Sequence, residues 1–189
     1  MDRRLIVVLS VFAASLGCRN PLDSPPPPPP SLAPVPSRPP VAAPGPGPAA
    51  TPLPGFVPMT VAGIVPMAQG FTVGLTDPGG QVTVPIVIGE NEASVIEMRL
   101  RGRRYPRPLT HDLLDSIVRE LGGRVVMVEI TELREGVFIA NVVLWDGAAL
   151  HRVDSRASDA IAVALGAGAP IYASQSVITQ TGVPSQRPL

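Results

Sequence analysis

Proline is spread so unevenly along this chain that no single globule can hold all of it. Of 25 prolines in 189 residues, 17 fall between Pro21 and Pro58, including the unbroken run from Pro25 to Pro30 and the alternation Pro44-Gly45-Pro46-Gly47-Pro48. Each ring fixes φ and removes a backbone donor, so such a stretch populates extended polyproline II and builds no core. The sequence predicts four parts: a signal over 1–17, a disordered Pro-rich linker over 18–58, a folded domain over 59–183 and a frayed tail over 184–189. The part left for folding has the size of one ordinary domain.

Arg3 and Arg4 precede an uncharged, mostly apolar stretch, 5–17, and then Cys18, the single cysteine. A helix of that length rises about 20 Å against roughly 30 Å of hydrocarbon, so it reads as a secretory signal and not a membrane span. Ala14-Ser15-Leu16-Gly17-Cys18 resembles a bacterial lipoprotein processing site, with Ser15 where such sites usually carry Leu. That resemblance implies acylation of Cys18 and a lipid-anchored place in the bacterial cell envelope, on the outer membrane or periplasmic face. Two or three acyl chains, at about 0.8 kcal/mol per buried methylene, hold a protein on a membrane essentially permanently. The linker is then a spacer reaching up to roughly 120 Å at about 3.1 Å per residue. A docking segment for proline-binding modules is its alternative. A lone cysteine excludes an internal disulfide framework and a multi-Cys metal site.

From Met59 onward the pattern changes to apolar runs separated by turn signals. Residues 59–65, 70–75 and 81–88 read as strands, with Asp77-Pro78-Gly79-Gly80 as a turn. Residues 90–100 read as a helix, with Glu90 and Glu92 at the positive end of its dipole. Thr110 is expected to cap a second helix whose apolar stripe is Leu113, Leu114, Ile117, Val118 and Leu121. Residues 124–133 and 137–145 flank Arg134-Glu135-Gly136 as a hairpin, and 149–153 follows as a strand. A third helix is expected over 158–165, stopping at Gly166, then a short strand over 170–173 and only weak signal after Ser174. The expected fold class is α+β, one compact domain with a mainly antiparallel or mixed sheet and about three helices.

Four segments together carry a family resemblance. They are Val84-Pro85-Ile86-Val87-Ile88-Gly89 with Glu92-Ala93; Arg107-Pro108-Leu109-Thr110-His111-Asp112-Leu113-Leu114; Gly136-Val137-Phe138-Ile139-Ala140; and Val153-Asp154-Ser155-Arg156-Ala157-Ser158-Asp159-Ala160-Ile161-Ala162, followed by Ala169-Pro170-Ile171. In order and spacing they resemble the bifunctional nuclease (BFN) domain family over roughly residues 59–183. Ala157 stands where that family commonly has Pro, and the secretory start is unlike its usual cytoplasmic members. The resemblance implies a nuclease hydrolysing phosphodiester bonds of RNA and DNA. The alternative is a noncatalytic ligand-binding or protein-interaction module of the same fold. A homodimer is compatible with it, and the sequence leaves the oligomeric state open.

Phosphodiester hydrolysis needs a general base or a metal-activated water, with cations facing the charge that develops on phosphate oxygens. At motif positions the catalytic candidates are His111, Asp112, Asp154 and Asp159. The three aspartates are also candidate ligands for Mg²⁺ or Mn²⁺, and Arg107, Arg156 and Ser158 are candidates for phosphate. Upstream, Arg99, Arg101, Arg103, Arg104 and Arg107 crowd five guanidinium groups into nine residues without an acidic neighbour among them. Guanidinium binds phosphate bidentately and Tyr105 beside them offers a stacking face. Each candidate has a bland counterpart: the arginines can decorate a helix C-terminus, and Asp112, Ser158 and Asp159 can serve as helix-start residues. No P-loop, dinucleotide fingerprint, His-Glu-x-x-His or Gly-x-Ser-x-Gly is present. Two histidines, His111 and His151, cannot make a three-His zinc site.

Overall fold

The computed structural model describes residues 51–185 apart from Gln69 and Arg104. The readings of the signal, Cys18, Arg104 and the linker up to residue 50 lie outside the described residues. The first strand is longer than the 59–65 expected, since β1 spans Phe56–Met67. It is followed by β2 (Gly70–Thr76), β3 (Val82–Ile88), α1 (Glu90–Leu100), α2 (Thr110–Glu120), β4 (Arg124–Arg134), β5 (Val137–Trp145), β6 (Leu150–Arg156), α3 (Ala157–Ala167), β7 (Ile171–Ser174), α4 (Gln175–Thr181) and β8 (Val183–Pro184).

All eight strands form one sheet in the order β6-β5-β4-β7-β1-β2-β3-β8. β4 and β7 run parallel, and every other neighbouring pair is antiparallel. β1 joins the two halves, pairing with β7 over Phe56–Met59 and with β2 from Thr60 onward. Pro58 and Pro66 each sit where β1 has a partner on one side alone, so the missing donor breaks no ladder bond. At the hairpin tip Glu135 and Gly136 both take positive φ, 51° and 80°, the two-residue turn whose twist suits flanking strands.

α3 explains where the core sits. Ala157, Ser158 and Ala160 through Ala164 are all buried, so this helix is apolar nearly all round and lies between the sheet and the other helices. It runs past Gly166 and ends at Gly168, which takes the left-handed cap at φ 66°. Two further expectations change. α2 is capped at Leu109 and not at Thr110, with Asp112 Oδ2 accepting the Leu109 N–H at 3.0 Å. A fourth helix, α4, follows β7: Ser174 Oγ accepts the Val177 N–H at 3.2 Å and donates to the Thr131 carbonyl at 2.7 Å, and Val177 enters the core.

Candidate active site

α2 opens with Thr110-His111-Asp112, and consecutive helical positions differ by about 100° around the axis. His111 and Asp112 therefore serve different neighbours. His111 turns toward the start of α3, where its Nε2–H donates to Asp159 Oδ1 at 3.1 Å. Arg156, at the cap of α3, donates from Nε to Asp159 Oδ2 at 2.8 Å and from Nη2 to Glu92 Oε1 at 2.9 Å. Glu92 comes from the first turn of α1. The chain His111–Asp159–Arg156–Glu92 thus ties the N-terminal ends of three helices, α1, α2 and α3, around one cleft of about 790 Å³. Tyr105, Val95, Leu109 and Leu114 supply its apolar walls.

Burial pushes the Asp159 carboxyl upward, but the bonds from Arg156 and His111 outweigh it and hold the group below the ordinary value of 3.8. Arg156 is raised by its bonds to Asp159 and Glu92, so it stays cationic. Its side chain is 61% exposed, and Nη1 makes no hydrogen bond among the described residues. With Nε2–H given to Asp159, the neutral form of the imidazole carries its lone pair on Nδ1. The cleft thus holds an oriented acid–base group beside a fixed cation with spare donors.

Asp112 belongs to a second cluster, centred on a buried guanidinium. Arg99, only 8% exposed, donates to Asp112 Oδ1 at 2.9 Å, to Asp115 Oδ2 at 2.8 Å and to the Ala162 carbonyl. Burial raises the Asp115 carboxyl, with Arg99 opposing, and Asp115 Oδ1 has no hydrogen-bond partner among the described residues. A Cβ at position 166 would overlap the Arg99 guanidinium and the Asp115 carboxylate, so Gly166 is the gap that admits this cluster.

The arginine strip is accordingly divided. Arg99 is interior, and Arg101 pairs with Glu97 at 2.6 Å on the surface of α1. Arg103 and Arg107 have no ion-pair partner among the described residues, and Arg103 shares the lining of a cavity of about 370 Å³ with Arg99, Tyr105 and Asp112. Asp154 lies on β6 opposite Asn141, in an adjoining groove that also touches Asp159. Ser158 is buried and faces a separate pocket with Gly89 and Phe138. Asp112, Asp154 and Asp159 therefore occupy three settings and do not form one ion's ligand set. Among the described residues, no group of three or more His, Cys, Asp or Glu side chains is disposed to hold a metal. Glu92 is the cleft residue that sequence reasoning passed over, because its place in the first turn of α1 was accounted for by the helix dipole.

A mixed-sheet α+β domain with an imidazole, two carboxylates and a guanidinium in one cleft defines a class of site suited to proton transfer beside a bound anion. The family follows from sequence comparison: the bifunctional nuclease domain matches residues 73–186, more than half the chain, and the chain belongs to that family. An uncharacterized protein of Mycobacterium tuberculosis is 38% identical over 109 residues, covering 58% of this chain and 65% of its own length. Bifunctional nuclease 1 of Oryza sativa subsp. japonica is 24% identical over 115 residues, covering 59% of this chain and 35% of its own length. The chain thus spans less than two thirds of each of these relatives.

Proposed function

We propose that this domain is a nuclease that hydrolyses phosphodiester bonds of RNA and DNA at the His111–Asp159 cleft. The observation that carries the reading is the meeting of His111, from one family segment, with Arg156 and Asp159, from another, at hydrogen-bond distance. His111 Nδ1 takes the proton of the attacking hydroxyl or water, while Asp159 fixes the ring and faces the imidazolium that forms. Arg156 donates from Nη1 to a phosphate oxygen as negative charge builds on it. Tyr105 on the cleft wall offers a face to a base. Single- and double-stranded RNA and DNA, incubated with the full chain in Mg²⁺, in Mn²⁺ and in EDTA, test this. Cleavage should fall about 100- to 10,000-fold in His111→Ala. Undiminished cleavage by that variant would remove the proposal.

The noncatalytic reading draws on a specific observation, that Asp159 and Glu92 both neutralise Arg156. Salt-dependent binding without product would favour it. We further propose envelope display through a lipid on Cys18, supported by the signal-like apolar run before it. Cys18→Ala should move the protein from the membrane to the soluble fraction.

A further inference from the structure

We infer that the pocket on the far side of Arg156 from His111 binds a phosphate of a nucleic-acid chain, the neighbour of the one that faces His111. The inference rests on the nuclease reading only for whose phosphate this is; the chemistry of the pocket stands apart from cleavage. The pocket holds about 410 Å³ and lies between the end of β3, the start of α3 and the tip of the β4–β5 hairpin. Of the described residues, Arg156 alone lines both it and the His111 cleft.

Ser158 carries the argument. It is only 9% exposed and lines this pocket, yet its hydroxyl makes no hydrogen bond among the described residues. A buried hydroxyl without a partner is costly, and a ligand in the pocket supplies the partner that the chain does not. The backbone adds donors beside it. α3 starts at Ala157 with no side chain capping it, so the N–H groups of its first turn have no acceptor within the helix. Its cap residue Arg156 and its first two residues, Ala157 and Ser158, all line the pocket, so the positive end of the helix dipole faces an occupant there. Gly89, the cap of α1, lines it too, again without a capping side chain.

Charge selects an anion. Among the described residues, the lining includes one guanidinium and no carboxylate. Glu92 and Asp159, the partners of Arg156, line the cleft on its other side and not this pocket. Arg156 Nη1 stays unbonded among the described residues. Ile86 and Ile88, both buried, and Phe138 wall the rest and keep out water that would weaken these contacts. A phosphate, with several acceptor oxygens and negative charge, meets this set of a hydroxyl, helix-start N–H groups and a guanidinium. A nucleic-acid chain crossing Arg156 would place one phosphate before His111 and the next at Ser158.

The test reads binding and not cleavage. Inorganic phosphate is titrated into the full chain in phosphate-free buffer, by calorimetry and by thermal unfolding. The parent should bind it saturably, with an unfolding midpoint that rises with phosphate. Ser158→Ala, which removes an unpartnered hydroxyl, should unfold no earlier than the parent without phosphate and bind phosphate roughly tenfold or more weakly. Val137→Asp, at an exposed position on the rim, sets a carboxylate against the anion and should weaken binding at least as much. Ser94→Ala, the same deletion in the His111 cleft, should bind phosphate as the parent does. An oligonucleotide without terminal phosphates should displace the bound phosphate. Absence of saturable binding by the parent, parental affinity in Ser158→Ala or Val137→Asp, equal weakening in Ser94→Ala, or displacement by a mononucleotide but not by the oligonucleotide would each overturn the assignment. Binding and displacement without any cleavage would uphold this site and remove the nuclease reading.

Discussion

Two arginine–carboxylate clusters take adjacent residues of α2, His111 and Asp112, and they differ in what surrounds their guanidinium groups. Arg99, with Asp112 and Asp115, has a buried guanidinium that spends its donors on two carboxylates and a backbone carbonyl. Arg156 with Asp159, Glu92 and His111 borders an open cleft. The difference teaches that arginine and aspartate in a family motif do not by themselves mark a site. A guanidinium whose donors all point inward holds helices together, whereas one with donors facing a cleft can take a ligand.

The sharpest way to break this division is to remove the two arginine-linked clusters separately. Arg99→Ala leaves two carboxylates and a carbonyl facing each other in the interior, and urea unfolding should show a loss of about 3–5 kcal/mol. If Arg99→Ala unfolds like the parent, the Arg99 cluster is not structural. A smaller contrast uses two glycines. Gly166→Ala forces a Cβ into the Arg99–Asp115 contact and should cost about 1–3 kcal/mol in the same experiment. Gly89→Ala has an ordinary backbone, φ −75°, and its Cβ meets only the movable Glu92 Oε2, at 2.5 Å. Its stability should stay near that of the parent while cleavage changes as Glu92 is displaced from Arg156. Glu92→Gln, which weakens one of two anchors on an exposed arginine, should alter the rate by no more than about fivefold, the scale of a surface ion pair.

The smallest expected effect is the opposite pH response of the two aspartates. Asp159 is held below 3.8, so its contribution is complete above that value and is lost as pH falls through its lower folded value. Asp115 is held above 3.8, so the fold is favoured while it is protonated, and that contribution is lost as pH rises through its higher folded value. Unfolding midpoints across the acid range, compared with Asp159→Asn and Asp115→Asn, should bend in opposite senses.

Local pattern made most elements legible. The hairpin of β4 and β5 follows from alternation around Glu135-Gly136, and α1 and β3 from runs closed by glycine. α4 was not legible, because seven residues with Val177 and Ile178 as their main apolar members show no helical period, and packing of Val177 stabilises it. The parallel pairing of β4 with β7 joins segments distant in sequence, which no local signal reports. At the site, the motifs identified His111, Arg156 and Asp159, but a linear string does not reveal that His111 and Asp112 project to different clusters. Arg99 looked like one more member of an exposed strip because its partners lie 13 and 16 residues onward. Gly166 looked like a stop because a gap for a guanidinium is visible only once α1 and α2 are packed against α3.

The most direct test of the division sets Asp159→Asn beside Asp115→Asn, with cleavage rates corrected for the folded fraction and thermal midpoints taken on the same samples. The account predicts that Asp159→Asn loses cleavage far beyond its loss of folded molecules, with a midpoint that falls only modestly because the carboxylate is partly exposed. Asp115→Asn should keep the parent's rate per folded molecule, and its midpoint at neutral pH should not fall, because the carboxylate it replaces is held above 3.8 by burial. Full cleavage by Asp159→Asn, with activity lost instead in folded Asp115→Asn, would contradict it.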